Sequence, residues 1–242
     1  MSVPGPSLRV LLGAATHIGG RRRNADAFDF TSDSATGRGC WAVADGIGDR
    51  TAVAAAAQHA AKVATAAGAR EGAQAGLLAA ATALADPVAE WPENNCVMVV
   101  AAREPGGRIG IAWTGDARCY RFDGTELALL TADHTVGQRM RESGQQGQVA
   151  EAEEFDHIVT TTVGTAHRDG HGSADTSDDF TALLLCSDGI GKVLSHQHIT
   201  ALLTEFASNP QTCADRLVAD AVAAAGKKAD NATALVVIRE HL

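Results

Sequence analysis

Three aspartates stand where an apolar run meets a turn. Trp41 to Ala44 run into Asp45, Gly46, Ile47 and Gly48; Ala182 to Cys186 run through Ser187 into Asp188 and Gly189; Asp230 and Asn231 open the run Ala232 to Ile238. A short unbroken apolar run closed by a turn signal reads as a buried strand, so each run should deliver its carboxylate to a strand end. Glycine after Asp45 and after Asp188 lets backbone come close to whatever the carboxylate holds. Carboxylates that converge without a cysteine or histidine cluster favour a hard cation such as Mg²⁺ or Mn²⁺. Two such ions about 3.5–4 Å apart, bridged by one carboxylate, hold a water and lower its pKa, which makes a nucleophile for phosphorus. In that arrangement Asp45 is the bridge, the Gly46 carbonyl adds an oxygen, and Asp188 and Asp230 complete the shell of one ion. A single Asp-Gly pair is more often a plain turn. The set of three, each abutting an apolar run, points to a site.

The elements that must position these residues follow from the same reading. Leu8 to Ile18 is a strand ending at Gly19-Gly20, followed by Arg21-Arg22-Arg23-Asn24-Ala25-Asp26 and a short strand from Ala27 to Thr31. An arginine triplet is ordinarily a solvated face, yet one guanidinium aimed at the site would suffice. Thr51 to Ala67 and Gly72 to Leu84 are alanine-rich and free of proline, which predicts two helices whose shallow apolar faces must lie on a flat sheet. Pro87 and Pro92 bracket Trp91 and end that region. Cys96 to Arg103, Arg108 to Thr114, Arg118 to Phe122 and Glu126 to Thr131 read as a meander with hairpin breaks at Pro105-Gly106-Gly107 and Asp123-Gly124. Gly115-Asp116 places a further carboxylate in a turn between two of these strands.

Beyond the meander, Ala132 to Ser143 is a short helix opening at Asp133, His134 or Thr135. Residues 144–156 are a polar, mobile surface segment, His157 to Val163 a strand, and His167 to Asp179 a polar loop. Gln197 to Phe206 and Gln211 to Ala225 are helices separated at Asn209-Pro210. Trp41, Trp91 and Trp113 are expected in the core. His167 and His171 read as loop residues, not as metal ligands.

With 242 residues, of which 45% are apolar and 20% charged, the chain is long enough for one large core. We expect residues 1–7 as a frayed tail and residues 8–242 as one domain. The formal net charge of −9 speaks against nucleic acid or an anionic membrane surface as a partner. The five cysteines are scattered without C-x-x-C spacing, which suits a reducing compartment. No stretch approaches the roughly 20 apolar residues of a membrane span, and the segment Val10 to Ala15 lacks the flanks of a leader peptide. The expectation is a cytoplasmic monomer.

Six ordered motifs then carry a resemblance over nearly the whole chain, from about Val10 to Ile238, to the metal-dependent serine/threonine protein phosphatases of type 2C (PPM). Arg21-x-x-Asn24-Ala25-Asp26 resembles R-x-x-N-E-D, Ala44-Asp45-Gly46-Ile47-Gly48 resembles A-D-G-M-G, and Gly115-Asp116-Ala117-Arg118 resembles G-D-S-R. Leu130-Thr131-Ala132-Asp133-His134-Thr135 is similar to L-T-x-D-H-S, Leu185-Cys186-Ser187-Asp188-Gly189-Ile190 to L-x-S-D-G-L, and Asp230-Asn231-Ala232-Thr233 to D-N-x-T.

The resemblance implies an α+β fold, a four-layer α-β-β-α sandwich of two antiparallel sheets flanked by helices. It implies a Mn²⁺ or Mg²⁺ pair with a weaker third ion, and hydrolysis of phosphoserine and phosphothreonine in the protein substrates of a serine/threonine kinase. Carried over position by position, Asp45 bridges the ions with the Gly46 carbonyl beside it, Asp188 and Asp230 bind the first ion, and Asp116 forms the third site with Asp188. Asp26 orders water from behind, and Arg21 grips the phosphate. Val136 to Asp156 corresponds to the family's variable flap. Ala25 departs from the pattern where the family has glutamate, which bears on the second ion; it motivates the alternative of a catalytically impaired relative that binds a phosphoprotein or a kinase. Ile47 stands where some members have a histidine that protonates the leaving group.

Overall fold

A computed structural model describes residues 9–33, 37–86, 88–89, 91–104 and 107–240. The expected tail 1–7, Pro87 and the Pro105-Gly106 break lie outside the described residues.

Strands with both faces covered form from the uninterrupted apolar runs. β3 (Arg38–Gly46) is buried from Gly39 through Ala44, and β4 (Cys96–Glu104) from Cys96 through Ala102. They sit at the centre of one antiparallel sheet of order β2-β3-β4-β5-β8, with β2 at Ala27–Asp33, β5 at Arg108–Thr114 and β8 at Gly172–Ser177. The second sheet has the order β1-β10-β9-β6-β7 and is also antiparallel throughout. Its strands are β1 (Val10–His17), β6 (Arg118–Phe122), β7 (Leu127–Leu129), β9 (Ala182–Cys186) and β10 (Ala232–Arg239).

The two sheets face each other across Trp41, Val43, Val99, Leu185, Leu235 and Val237. On the outside of the first sheet lie α1 (Thr51–Glu71) and α2 (Ala73–Leu84), packed through Ala57, Ala60, Ala64, Leu77 and Ala81 onto Ala42, Met98 and Val100. Alanine contributes little area per residue, so this layer depends on close approach. At Gly76 a Cβ would meet the Ala64 carbonyl oxygen at 2.5 Å. The other outer layer, α7 (His196–Glu205) and α8 (Pro210–Ala225), uses larger side chains: Ile199, Leu202, Leu217 and Val218 on Tyr120, Phe122 and Leu184. The helix starts are chemically marked. Ser195 and Asn209 accept the N–H of His198 and Thr212 as N-caps, and Pro210 opens α8. The architecture is the four-layer α-β-β-α sandwich expected from the sequence.

Several local expectations differ. The meander is split between sheets: β4 and β5 pair in one, β6 and β7 in the other, and the chain crosses over at 115–117. His157 to Val163 makes only a single bridge, Thr135 to Val159, and then a 3₁₀ turn at Val163–Thr165. Its threonines bond instead to their surroundings, Thr161 Oγ1 accepting the Gly115 N–H and Thr162 Oγ1 the Asn95 amide. The expected polar loop 167–179 holds a helical turn, α5 (Ala166–Asp169), and the edge strand β8, whose alternating exposure explains its polar composition. The segment 144–156 is helical, α4 (Gln146–Glu151) followed by a 3₁₀ turn at Ala152–Phe155. Trp91 is 45% exposed and outside the core, whereas Trp41 and Trp113 are buried.

Candidate active site

The ends of the two sheets bring the aspartates together. Asp45 is the penultimate residue of β3, Asp116 lies in the crossover from β5 to β6, and Asp188 follows β9 as the first residue of α6 (Asp188–Gly191). Asp26 and Asp230 precede β2 and β10. The carboxylates lie at or just beyond strand ends because the apolar runs are buried and the first charge must leave the sheet. Close backbone approach follows from glycine: a Cβ on Gly189 would meet the Asn231 carbonyl oxygen at 2.0 Å, so the turns carrying Asp188 and Asp230 touch.

Asn231 fixes the third loop. Its Oδ1 accepts the Ala25 N–H at 2.8 Å, and its Nδ2 donates to the carbonyls of Ile18 and Arg23, both at 2.9 Å. The loop carrying Arg21 and Asp26 is thereby held against the start of β10. Ser187 joins the same network, donating Oγ–H to Asp26 Oδ2 at 2.7 Å and accepting the Thr233 N–H at 3.0 Å. The other oxygen of Asp26, Oδ1, is buried and has no hydrogen-bond partner among the described residues. A buried carboxylate oxygen left without a partner is costly.

The electrostatics are those of crowded anions. Burial pushes the Asp45 carboxyl well above the usual carboxylate range, and the negative charges of Asp26, Asp188, Asp116 and Asp230 push it further. Asp26 is raised to about 7, first by burial, against the lowering effect of its bonds to Ser187 and Thr233. Asp188 is raised to about 6 by burial and by Asp116, while Lys192 and a hydrogen bond with Asp45 pull it down.

Two cations of the chain meet this cluster. Arg21, with its side chain 49% exposed, pairs with Asp230. Burial lowers the Arg21 pKa, but Asp230, Asp188 and Asp45 outweigh it and raise the guanidinium above its ordinary value. Lys192 pairs with Asp116 and lies 3.7 Å from Asp188. Among the described residues no group of three or more Asp, Glu, His or Cys stands as a ready-made metal site.

The donor set nevertheless fits a hard cation. Its members are oxygens, the charges acting most on Asp45 are all negative, and Asp26 Oδ1 is unpartnered. Ala25 is 1% exposed and packs on Gly46, where a Cβ would meet the Ala25 carbonyl oxygen at 2.7 Å and Cβ at 2.9 Å. Ile47 is exposed at 37%, beside Asp45. His134 packs on the crossover: its N–H donates to the Gly115 carbonyl at 2.8 Å, its ring stacks on Trp113, its Nδ1 lies 2.7 Å from Thr161 Oγ1, and Thr135 is the residue that caps α3 (Val136–Glu142). The structure thus brings Arg21, Asp26, Asp45, Gly46, Asp116, Asp188 and Asp230 to one end of the sandwich. Sequence reading missed Lys192 and the bridging role of Ser187; Lys192 follows Asp188 by four residues, the spacing that places two side chains on one helical face.

No family model and no curated relative matches the sequence. Solved structures match over their whole length. A serine/threonine phosphatase from S. agalactiae aligns with TM-score 0.80 at 22% identity, covering 96% of this chain and 100% of that one. Stp1 from Staphylococcus aureus aligns with TM-score 0.80 at 22% identity, covering 100% and 98%. The PPM Ser-Thr phosphatase MsPP from Mycobacterium smegmatis aligns with TM-score 0.73 at 26% identity, covering 94% and 97%. The fold of this chain is that of bacterial PPM-type serine/threonine phosphatases.

Proposed function

We propose that this chain hydrolyses phosphoserine and phosphothreonine in proteins with the help of a Mn²⁺ or Mg²⁺ pair. The observation that carries this reading is the meeting of five aspartates and one guanidinium at the same end of a phosphatase fold. The Asp45 carboxylate would hold both ions with the Gly46 carbonyl beside it, and Asp188 and Asp230 would complete one shell. When bound, such ions supply Lewis acidity and a water acidic enough to attack phosphorus at neutral pH.

The residues do the rest. Arg21 leaves Asp230 and presents its planar fork to two oxygens of the phosphate, stabilising charge as it grows on them. Asp26, fixed by Ser187, orients water through its free Oδ1. Ile47 carries no proton, so the departing serine or threonine oxygen takes its proton from solvent. The substrates of a serine/threonine kinase are the natural targets for such a site. Five free, buried cysteines support a reducing, cytoplasmic setting, and no helix among the described residues is long and apolar enough to cross a membrane. We expect a monomer.

The test is hydrolysis of a phosphothreonine peptide across a Mn²⁺ titration, with a chelator control and Asp188→Ala alongside. Turnover that needs the ion and disappears in the variant supports the reading. A folded protein with no turnover at any ion concentration overturns it in favour of a phosphoprotein-binding relative, the alternative motivated by Ala25.

A further inference from the structure

Lys192 makes contacts that a solvated surface lysine would not. Its Nζ donates to Asp116 and, at 2.9 Å, to the Asp156 carbonyl, and Asp188 Oδ2 stands 3.7 Å away. Asp116 is 4% exposed, and the lysine side chain itself 23%. An ammonium has three hydrogens and no acceptor, and here it faces oxygens from three separate parts of the chain. Such a shell of two carboxylates and a carbonyl is what a hard divalent ion would take.

We propose that Lys192 is a cation built into the site: its ammonium holds the ground between Asp116 and Asp188 that a further divalent ion would need, and ties residues 136–156 to the acidic cluster. The proposal rests on the phosphatase reading for what the cluster does, and replaces the expectation of a weak third ion at Asp116 with a covalently tethered charge. The reason is competition. An ammonium and a divalent ion cannot share Asp116 without each losing attraction to it and repelling the other.

The second half of the proposal follows from Asp156. Its carboxylate is gripped by Arg141 of α3, with Arg141 Nη1 at 2.7 Å, while its carbonyl accepts from Lys192. Val136 N–H donates to the Ile158 carbonyl at 2.8 Å. Residues 136–156 therefore form a closed piece whose far end is pinned by the lysine. Beside it opens a cleft of about 330 Å³ whose lining includes Arg118, Asp133, Gln138, Arg141, Asp156 and Lys192. Lys192 is a positioning residue for both the cluster and that cleft wall.

The experiment counts Mn²⁺ bound at saturation by electron paramagnetic resonance and calorimetry in wild type, Lys192→Gln, Lys192→Met and Lys192→Arg, with hydrogen exchange over 136–156. Glutamine keeps N–H donors and removes the charge; methionine removes both. Both neutral variants should gain one ion over wild type, Lys192→Arg should gain none, and the gain should vanish when Asp116→Asn is added. Exchange over 136–156 should rise roughly 10-fold in Lys192→Met and little in Lys192→Gln. An unchanged ion count in both neutral variants, or an extra ion that survives Asp116→Asn, overturns the inference. A wild type that binds two ions beside unchanged variants sinks this inference alone. A wild type that binds none sinks the phosphatase reading, while an Asp116-dependent ion gained in the neutral variants would still support the inference.

Discussion

The two edges of the acidic cluster are closed by the same kind of pair, a basic side chain on an aspartate, yet the pairs are built for opposite purposes. At the Arg21 edge the guanidinium is half exposed, contacts Asp230 alone among the described carboxylates, and sits on a loop held by Asn231. A pair that exposed contributes about 0–1 kcal/mol and releases its arginine at little cost. At the Lys192 edge the ammonium is shielded, holds a buried carboxylate and also a backbone carbonyl. Breaking that arrangement leaves a dehydrated charge behind, which costs considerably more. On the proposed reading, the cation that turns to substrate is the one placed in water, and the one that stays is buried with several partners.

Of the two edges, breaking the exposed one should have the larger effect on turnover. Arg21→Ala should lower kcat/KM for a phosphothreonine peptide by on the order of 10²–10³-fold while leaving Mn²⁺ affinity unchanged or tighter, since Asp230 is freed. Arg21→Lys should recover only part of the loss, because an ammonium cannot bond two phosphate oxygens as a fork does. Steady-state kinetics beside calorimetry separate the two effects; a parallel fall in ion affinity would contradict the picture of a releasable pair.

Acidity probes the middle of the cluster. The folded pKa values of Asp26 and Asp188 stand at about 7 and about 6, raised above the unfolded value mainly by burial. The folded, metal-free protein thus binds protons that the unfolded chain has released, so its stability falls as pH rises from about 4 to about 7. The carboxylates held low by hydrogen bonds, Asp123 and Asp156 among them, act below that window and in the opposite sense. Chemical denaturation in chelator at pH 5 and pH 8 should find the protein more stable at pH 5, and saturating Mn²⁺ should remove the difference. Equal stability at both pH values in chelator would mean the cluster is not charged as described.

The smallest effect concerns Ala25. Ala25→Glu places a carboxylate against Gly46 and should tighten binding of the second ion by about 10-fold, read from activity at limiting Mn²⁺ and from calorimetry. An unchanged titration would show that the alanine does not weaken that ion.

Much of the cluster was legible because the strands that carry it are buried on both faces. β3 and β9 read as unbroken apolar runs, and the first charge after each has to lie where the strand ends. The sequence marks Gly189 as a place of close backbone approach and Asn231 as the opening of a run, but not their partners; the work of the two, one bonding three backbone groups and the other allowing the two turns to touch, depends on contacts between segments far apart in sequence. β8 reads as loop because an edge strand with one wet face has no apolar run to show. The segment His157 to Val163 misled in the other direction: its β-branched residues have strand propensity, but Thr161 and Thr162 satisfy the crossover loop and Asn95 instead. Lys192 was missed since a lysine after a turn is usually solvated, and only the fold brings Asp116 and Asp156 to it.

The central claim is that Asp45 is retained for chemistry at a cost to the fold, and one paired measurement on Asp45→Asn tests it: phosphothreonine-peptide turnover in Mn²⁺, and the melting temperature in chelator. Replacing a buried carboxyl whose ionised form is dehydrated and repelled by its neighbours should leave the metal-free variant melting at or above the wild-type temperature, while turnover falls by at least on the order of 10³-fold. A variant that keeps most of its turnover, or one that loses it only by unfolding, would contradict the account.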